Sequence, residues 1–126
     1  MKKFLITTVI LLTSLGCSRP YWLAKISVVK AEEAYSKAHA LRMNKKVAEE
    51  VRLKYYGVAC SNFLKAYRYD PSVFTLYRIE LAADACLRVE DFESAKLFRE
   101  FGEAYAKKHP KEVKYGDVGP WMTLDG

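Results

Sequence analysis

Apolar residues are laid out along this chain in two regimes. From Phe4 to Leu15 they form a run of twelve positions broken only by Thr7, Thr8, Thr13 and Ser14. From Tyr21 onward they thin to steps of three and four, the period of a helix with one buried face. Ala24, Val28, Ala31, Ala34 or Tyr35, Ala38 and Leu41 make the first such stripe, while Lys25, Lys30, Glu32, Glu33 and Lys37 fall elsewhere on the wheel. This pattern predicts a helix over 22–42 whose alanine-rich face lets a neighbour approach closely.

Asn44 is placed to cap a second helix, with Val47 or Ala48, Val51, Tyr55, Ala59, Phe63 and Ala66 on its core face and its end near Tyr69. Gly57 inside this run costs about 1 kcal/mol of helix propensity relative to alanine, so a break at Tyr55-Tyr56-Gly57 is the alternative. Asp70 reads as an N-cap and Pro71 as the first position of a third helix over 71–88, carrying Leu76, Ile79, Ala83 and Cys86. Asp91, with Ser94 three residues on, starts a fourth helix that carries Ala95, Phe98, Phe101 and Tyr105 to Lys108, and His109-Pro110 ends it. The tail, 111–126, contains Gly116, Gly119-Pro120 and Gly126 and is expected to be irregular, with Trp121 and Met122 docking it on the helices. No strand pattern of useful length occurs. The expectation is an all-α fold of two stacked antiparallel helical hairpins, with a four-helix bundle as the alternative.

Met1-Lys2-Lys3 ahead of the apolar run makes a positive n-region, and the run is too short to span a bilayer, which together describe a signal-peptide core. It ends in Leu12-Thr13-Ser14-Leu15-Gly16-Cys17, a stretch that resembles the lipobox of bacterial lipoproteins. The resemblance implies cleavage after Gly16 and acylation of Cys17, palmitate included, with two or three chains at ~0.8 kcal/mol per buried methylene holding the protein to a membrane. It divides the chain into a signal peptide (1–16), a lipidated tether (17–20), a helical domain (21–110) and the tail (111–126). Ser18, where an aspartate in such lipoproteins favours retention in the inner membrane, implies the periplasmic face of the outer membrane.

Removal of 1–16 leaves 110 residues, enough for one domain with a modest core. Lys2 and Lys3 leave with the signal, so the formal charge falls from +6 to +4. Most of the cations alternate with acids, as in Lys30-Ala31-Glu32-Glu33, the habit of a solvated helix face. Only Lys107-Lys108-His109-Pro110-Lys111 is locally dense, suited to anionic headgroups or a carboxylate-rich partner. An envelope location leaves no role for nucleic acid.

Ala59, Phe63, Ala66 and Pro71 reproduce the spacing of the second half of a tetratricopeptide repeat, and Ala83, Asp91-Phe92 and Ala95 are similar to the corresponding points of a second one. The resemblance covers 45–110 and implies hairpins stacked as repeats. With Cys17 acylated, Cys60 and Cys86 remain as an even pair in an oxidising compartment. They lie about equally far from the turn at Pro71, so an antiparallel hairpin sets them at similar heights. A disulfide between the second and third helices is expected, two buried free thiols being the alternative.

Candidate chemistry is sparse. His39 sits in the alanine-rich helix and His109 at a helix end, without a nucleophile and carboxylate set beside either. Glu32-Glu33 and Glu49-Glu50 read as exposed pairs. No catalytic residue, metal-ligand spacing, phosphate loop or cofactor motif is expected. Nine tyrosines are more than a core of this size needs, and Tyr67, Tyr69 and Tyr77 around the Asp70-Pro71 turn form a candidate binding patch. The expected function is a non-catalytic, membrane-anchored adaptor that holds an envelope protein or peptide. The alternatives are a small peptidoglycan-directed enzyme or inhibitor and a ligand-binding accessory subunit of a transporter.

Overall fold

The structure is a computed structural model that describes residues 2–42, 44 and 48–113, with side chains for those between 19 and 112. The described chain is all-α, with no strand among the described residues: α1 (Lys2–Arg42), α2 (Glu49–Tyr69), a 3-10 turn (Pro71–Val73), α3 (Leu76–Arg88), α4 (Phe92–Lys108) and the short α5 (Pro110–Val113). α1 and α2 form one hairpin and α3 and α4 a second. α2 packs on α3, and α1 also touches α3 and the 3-10 turn.

The first seam is made of small residues. Ala24, Ser27, Val28, Ala31, Ala34 and Ala38 are the buried residues among the described side chains of α1, so the α2 backbone approaches without large side chains between. α1 starts well before residue 22 and runs through Cys17 to Pro20, where a tether is expected from sequence. α2 starts later than expected. Its N-cap is Ala48, which makes no side-chain cap, and Glu49 and Glu50 instead bring negative charge to the positive end of the helix dipole. Asn44 belongs to the end of α1, its N–H donating to the Leu41 carbonyl at 3.0 Å.

Gly57 causes no break. α2 is continuous through it, and the Val89 side chain lies 3.8 Å from where a Cβ would stand. The buried face of α2 is Tyr56, Ala59, Cys60, Phe63 and Ala66. Relative to the expected stripe it is rotated toward Cys60, which exposes Val51 at 41 % and makes Tyr56, at 3 %, the buried tyrosine. Tyr55 is half-buried. Cys60 and Cys86 are joined as a disulfide with Cα atoms 4.9 Å apart, which pins α2 to α3 along that face.

The third helix begins at Leu76 rather than Pro71. Asp70 does act as a cap, its carboxylate accepting from the Ser72 N–H at 3.0 Å, but Pro71 opens only a single 3-10 turn. Phe74 is extended, and Thr75 caps α3 by accepting from the Arg78 N–H at 3.3 Å. The gain is burial. Consecutive Val73 and Phe74 are 4 % and 3 % exposed, whereas neighbours in a helix point about 100° apart and do not both face one core.

α3 closes in a Schellman arrangement, in which the Asp91 N–H bonds to the Cys86 carbonyl and the Glu90 N–H to that of Leu87, both at 3.0 Å. Asp91 at once caps α4 by accepting from the Ser94 N–H at 3.2 Å. The left-handed position of this turn, φ 61°, is held by Glu90 rather than glycine.

Two outcomes test these joints. Reducing the disulfide opens a loop with a sequence separation of 26 and should cost about 3 kcal/mol in urea unfolding. Glu90→Gly removes the Cβ penalty of the left-handed conformation and should raise stability by about 1 kcal/mol, read in the same melts.

Candidate functional site

Five aromatic rings meet where α2, the extended segment and α4 converge. Phe74 is their hub, with ring centroids at 6.1 Å from Phe63, 6.4 Å from Tyr67, 5.6 Å from Phe98 and 5.8 Å from Phe101. Tyr67 closes the ring at 5.9 Å from Phe98 and 5.3 Å from Phe101, both edge-on. Such pairs are worth about 0.5–1.5 kcal/mol each beyond the area they bury.

The outer side of this cluster forms the wall of a groove. Pro71, Ser72, Phe74, Phe101, Ala104, Tyr105, Lys108 and His109 enclose about 540 Å³ at the C-terminal end of α4, within the range of small-ligand and side-chain pockets. His109 lies flat on Tyr105 with centroids 4.0 Å apart, and the Tyr105 hydroxyl donates to Glu112 at 3.0 Å. Burial and then that hydrogen bond raise the Tyr105 pKa. The same contact folds α5 back beside the groove. The dense basic stretch of the sequence therefore stands at the rim, with Lys108 and His109 lining the opening and Lys107 and Lys111 exposed nearby.

A polar brace crosses the other end of the molecule. The Tyr35 hydroxyl of α1 donates to Asp84 Oδ2 of α3 at 2.6 Å, and Arg88 Nε reaches the same oxygen at 2.9 Å. Arg88 also lies over the Tyr56 ring at 5.1 Å, and the Tyr35 and Tyr56 rings meet edge-on at 5.6 Å. Burial first, then the hydrogen bond and charge of Asp84, push the Tyr35 pKa far up. Beside the brace Glu49, Arg52, Leu53, Tyr56 and Arg88 line a hollow of about 280 Å³. Nearer the start of α3, Arg78 Nε pairs with Glu32 at 2.7 Å while Nη1 donates to the Val73 carbonyl at 2.6 Å. At about one-third exposure this ion pair adds no more than about 1 kcal/mol. Its value is positional, because it ties α1 to the segment that delivers Phe74.

The three tyrosines expected as a patch at the Asp70-Pro71 turn stand in different settings. Tyr67 packs half-buried in the aromatic cluster and lines a separate hollow with Glu93, Lys96, Leu97, Glu100 and Phe101, while Tyr69 at 44 % and Tyr77 at 58 % exposed lie on different helices. The aromatic surface at that turn comes instead from Phe74, Phe101 and Tyr105. Phe101 and Tyr105 carry a sequence signal, since they continue the α4 stripe beyond what α3, four residues shorter, covers. Phe74 carries none, because its place behind the groove depends on an extended segment that reads as helix.

Glu32 is committed to Arg78, while Glu33, Glu49 and Glu50 are exposed, and His39 stacks on Tyr35 at 6.2 Å. No cluster of three or more metal-ligating side chains occurs among the described residues. The Cys17 side chain, Trp121 and Met122 lie outside the residues described at side-chain level. Comparison of the chain with protein-family profiles, curated protein sequences and solved structures finds no match.

The brace yields a pH-dependent prediction. Tyr35 keeps its proton longer folded than unfolded, so its contribution is complete below the ordinary tyrosine value near pH 10 and is lost as the pH rises beyond it. Tyr35→Phe should lower stability by about 1–2 kcal/mol at pH 7. Its gap from wild type should narrow by pH 11 in urea melts.

Proposed function

We propose that the protein is a non-catalytic, lipid-anchored adaptor on the periplasmic face of the bacterial outer membrane, holding a peptide segment of another envelope protein in the groove at the end of α4. The groove carries this reading. Its aromatic wall of Phe74, Phe101 and Tyr105 suits an apolar anchor side chain, and the cations at its rim suit a segment with acidic residues beside that anchor. The titratable groups that draw together elsewhere, Tyr35, Asp84 and Arg88, are occupied with one another in bracing α1 to α3, a structural arrangement rather than an acid and base facing open space. Hairpins stacked in the manner of tetratricopeptide repeats give such a groove a rigid frame.

Pro20 supports the processing step. Inside a 41-residue helix it removes a backbone hydrogen bond and costs about 3 kcal/mol. In a helix that starts at Cys17 it falls among the first four residues, whose N–H groups have no helical acceptor in any case. Cleavage after Gly16 turns a costly proline into a compatible one. The acyl chains then confine the groove to the membrane surface and raise its effective concentration for a partner held there.

Ala104 is exposed and lines the groove, so Ala104→Arg fills the groove without entering the core. In a crosslinked pull-down from native envelopes the wild-type chain should recover one abundant envelope protein. Ala104→Arg, with unchanged circular dichroism, should recover it at least about tenfold less, the loss expected from removing one anchor contact of about 1.4 kcal/mol or more. A Cys17→Ala form exported by another signal should lose recovery as well. Equal recovery by the Ala104→Arg protein would remove the groove from the mechanism.

A further inference from the structure

The outer face of α1 carries an apolar ridge that no described residue covers. Trp22 is 61 % exposed, Ile26 51 % and Val29 53 %. Their spacing of four and three residues stacks them on one side of the helix, opposite the buried Ala24, Val28 and Ala31. Tyr21 stands beside them, 37 % exposed, its ring 5.9 Å from that of Trp22 and 5.2 Å from Lys25 Nζ. The ridge stops at Glu33, the next residue on that side, so it occupies only the part of the helix nearest the apolar run Phe4 to Leu15 and Cys17. Elsewhere exposed apolar side chains are interrupted, as on α2, where Lys54 lies between Val51 and Val58.

Charge identifies what covers this ridge. Residues 17–31 contain Arg19, Lys25 and Lys30 and no acid, and all fifteen acids of the chain lie after them. An apolar strip with a tryptophan and a tyrosine at one end and cations along its flanks is the composition of a helix lying in the interface of an anionic bilayer, its rings at headgroup depth and its cations on the phosphates. A groove of another protein satisfies the ridge but gives no reason for the complete exclusion of acids. A second copy of this chain brings the same cations face to face.

We propose that the Trp22, Ile26 and Val29 face of α1 is a membrane-surface contact for anionic phospholipid, which lays α1 along the bilayer and directs the rest of the domain away from it. The contact is a property of α1 itself and stands whether or not Cys17 carries lipid.

The chain contains two tryptophans, so a Trp121→Phe form reports from Trp22 alone. The protein, with whatever N-terminus it carries when purified from envelopes, is mixed with vesicles of phosphatidylethanolamine and phosphatidylglycerol whose acyl chains are brominated near the headgroup. Trp22 emission should shift to the blue and be quenched several-fold, and quenching should weaken markedly in phosphatidylcholine vesicles. Ile26→Ser with Val29→Ser, both on exposed positions, should keep the helical circular dichroism and lose the quenching. Trp22 that remains equally open to aqueous acrylamide with and without vesicles would overturn the proposal. Concentration-dependent shielding of Trp22 without vesicles, the sign of a second copy, would overturn it too, as would shielding that requires an added envelope protein. The mass of the purified chain separately reports acylation of Cys17, so a failure of the anchor is distinguishable from a failure of this contact.

Discussion

Phe74 holds this structure together from outside any helix. Its ring, delivered by an extended residue between a 3-10 turn and the cap of α3, contacts four others contributed by α2 and α4. Burial of a phenylalanine is worth roughly 1.5–3 kcal/mol, and here it also joins the two hairpins at the end farthest from the Tyr35 brace. The elements around it serve its placement: Asp70 and Pro71 turn the chain, Thr75 restarts the helix, and Arg78 grips the Val73 carbonyl while reaching Glu32 on α1. The groove is the outer side of the same cluster, so fold and candidate site rest on one set of rings.

The joints between hairpins divide the work by type. The α1 to α2 seam is dispersive, made by alanines that let two backbones approach. The α2 to α3 seam is covalent at Cys60 and Cys86, beside a short turn in which Glu90 accepts a left-handed backbone so that Asp91 can cap the next helix immediately. The α1 to α3 contact is polar, with Tyr35 and Arg88 sharing one carboxylate oxygen of Asp84. A domain this small has little core to spare, and a covalent tie at its middle offsets that shortage.

Two surfaces at different places then suggest two tasks. The groove at the end of α4 presents rings with cations at the rim, and the ridge on α1 presents apolar side chains with cations along the flank. In the proposed arrangement α1 rests on the membrane and the groove faces material in the periplasm. No helix among the described residues is long and apolar enough to cross a membrane.

Helical periodicity determined by itself that the chain is all-α, roughly where the helices lie, and the core faces of α3 and α4, because on those two helices a single apolar stripe stands against a polar remainder. Asp91 as a cap was equally legible, its effect being local. Helix starts were less so. Asn44 has the chemistry of a cap, but Glu49 and Glu50 stabilise a helix end without one, and Pro71 opens a 3-10 turn because Val73 and Phe74 gain more from the core than from helical bonds. The facing of α2 was decided by its neighbours: Cys60 sits against Cys86 on α3, and that rotation buries Tyr56 and exposes Val51. The candidate site obeyed the same rule. Tyr67, Tyr69 and Tyr77 are close in sequence around a turn, yet one is drawn into the cluster and the others leave on separate helices. The groove combines Phe74 with Phe101 and Tyr105 from nearly thirty residues on, a juxtaposition that only packing creates, since short-range periodicity carries no information about which distant faces meet.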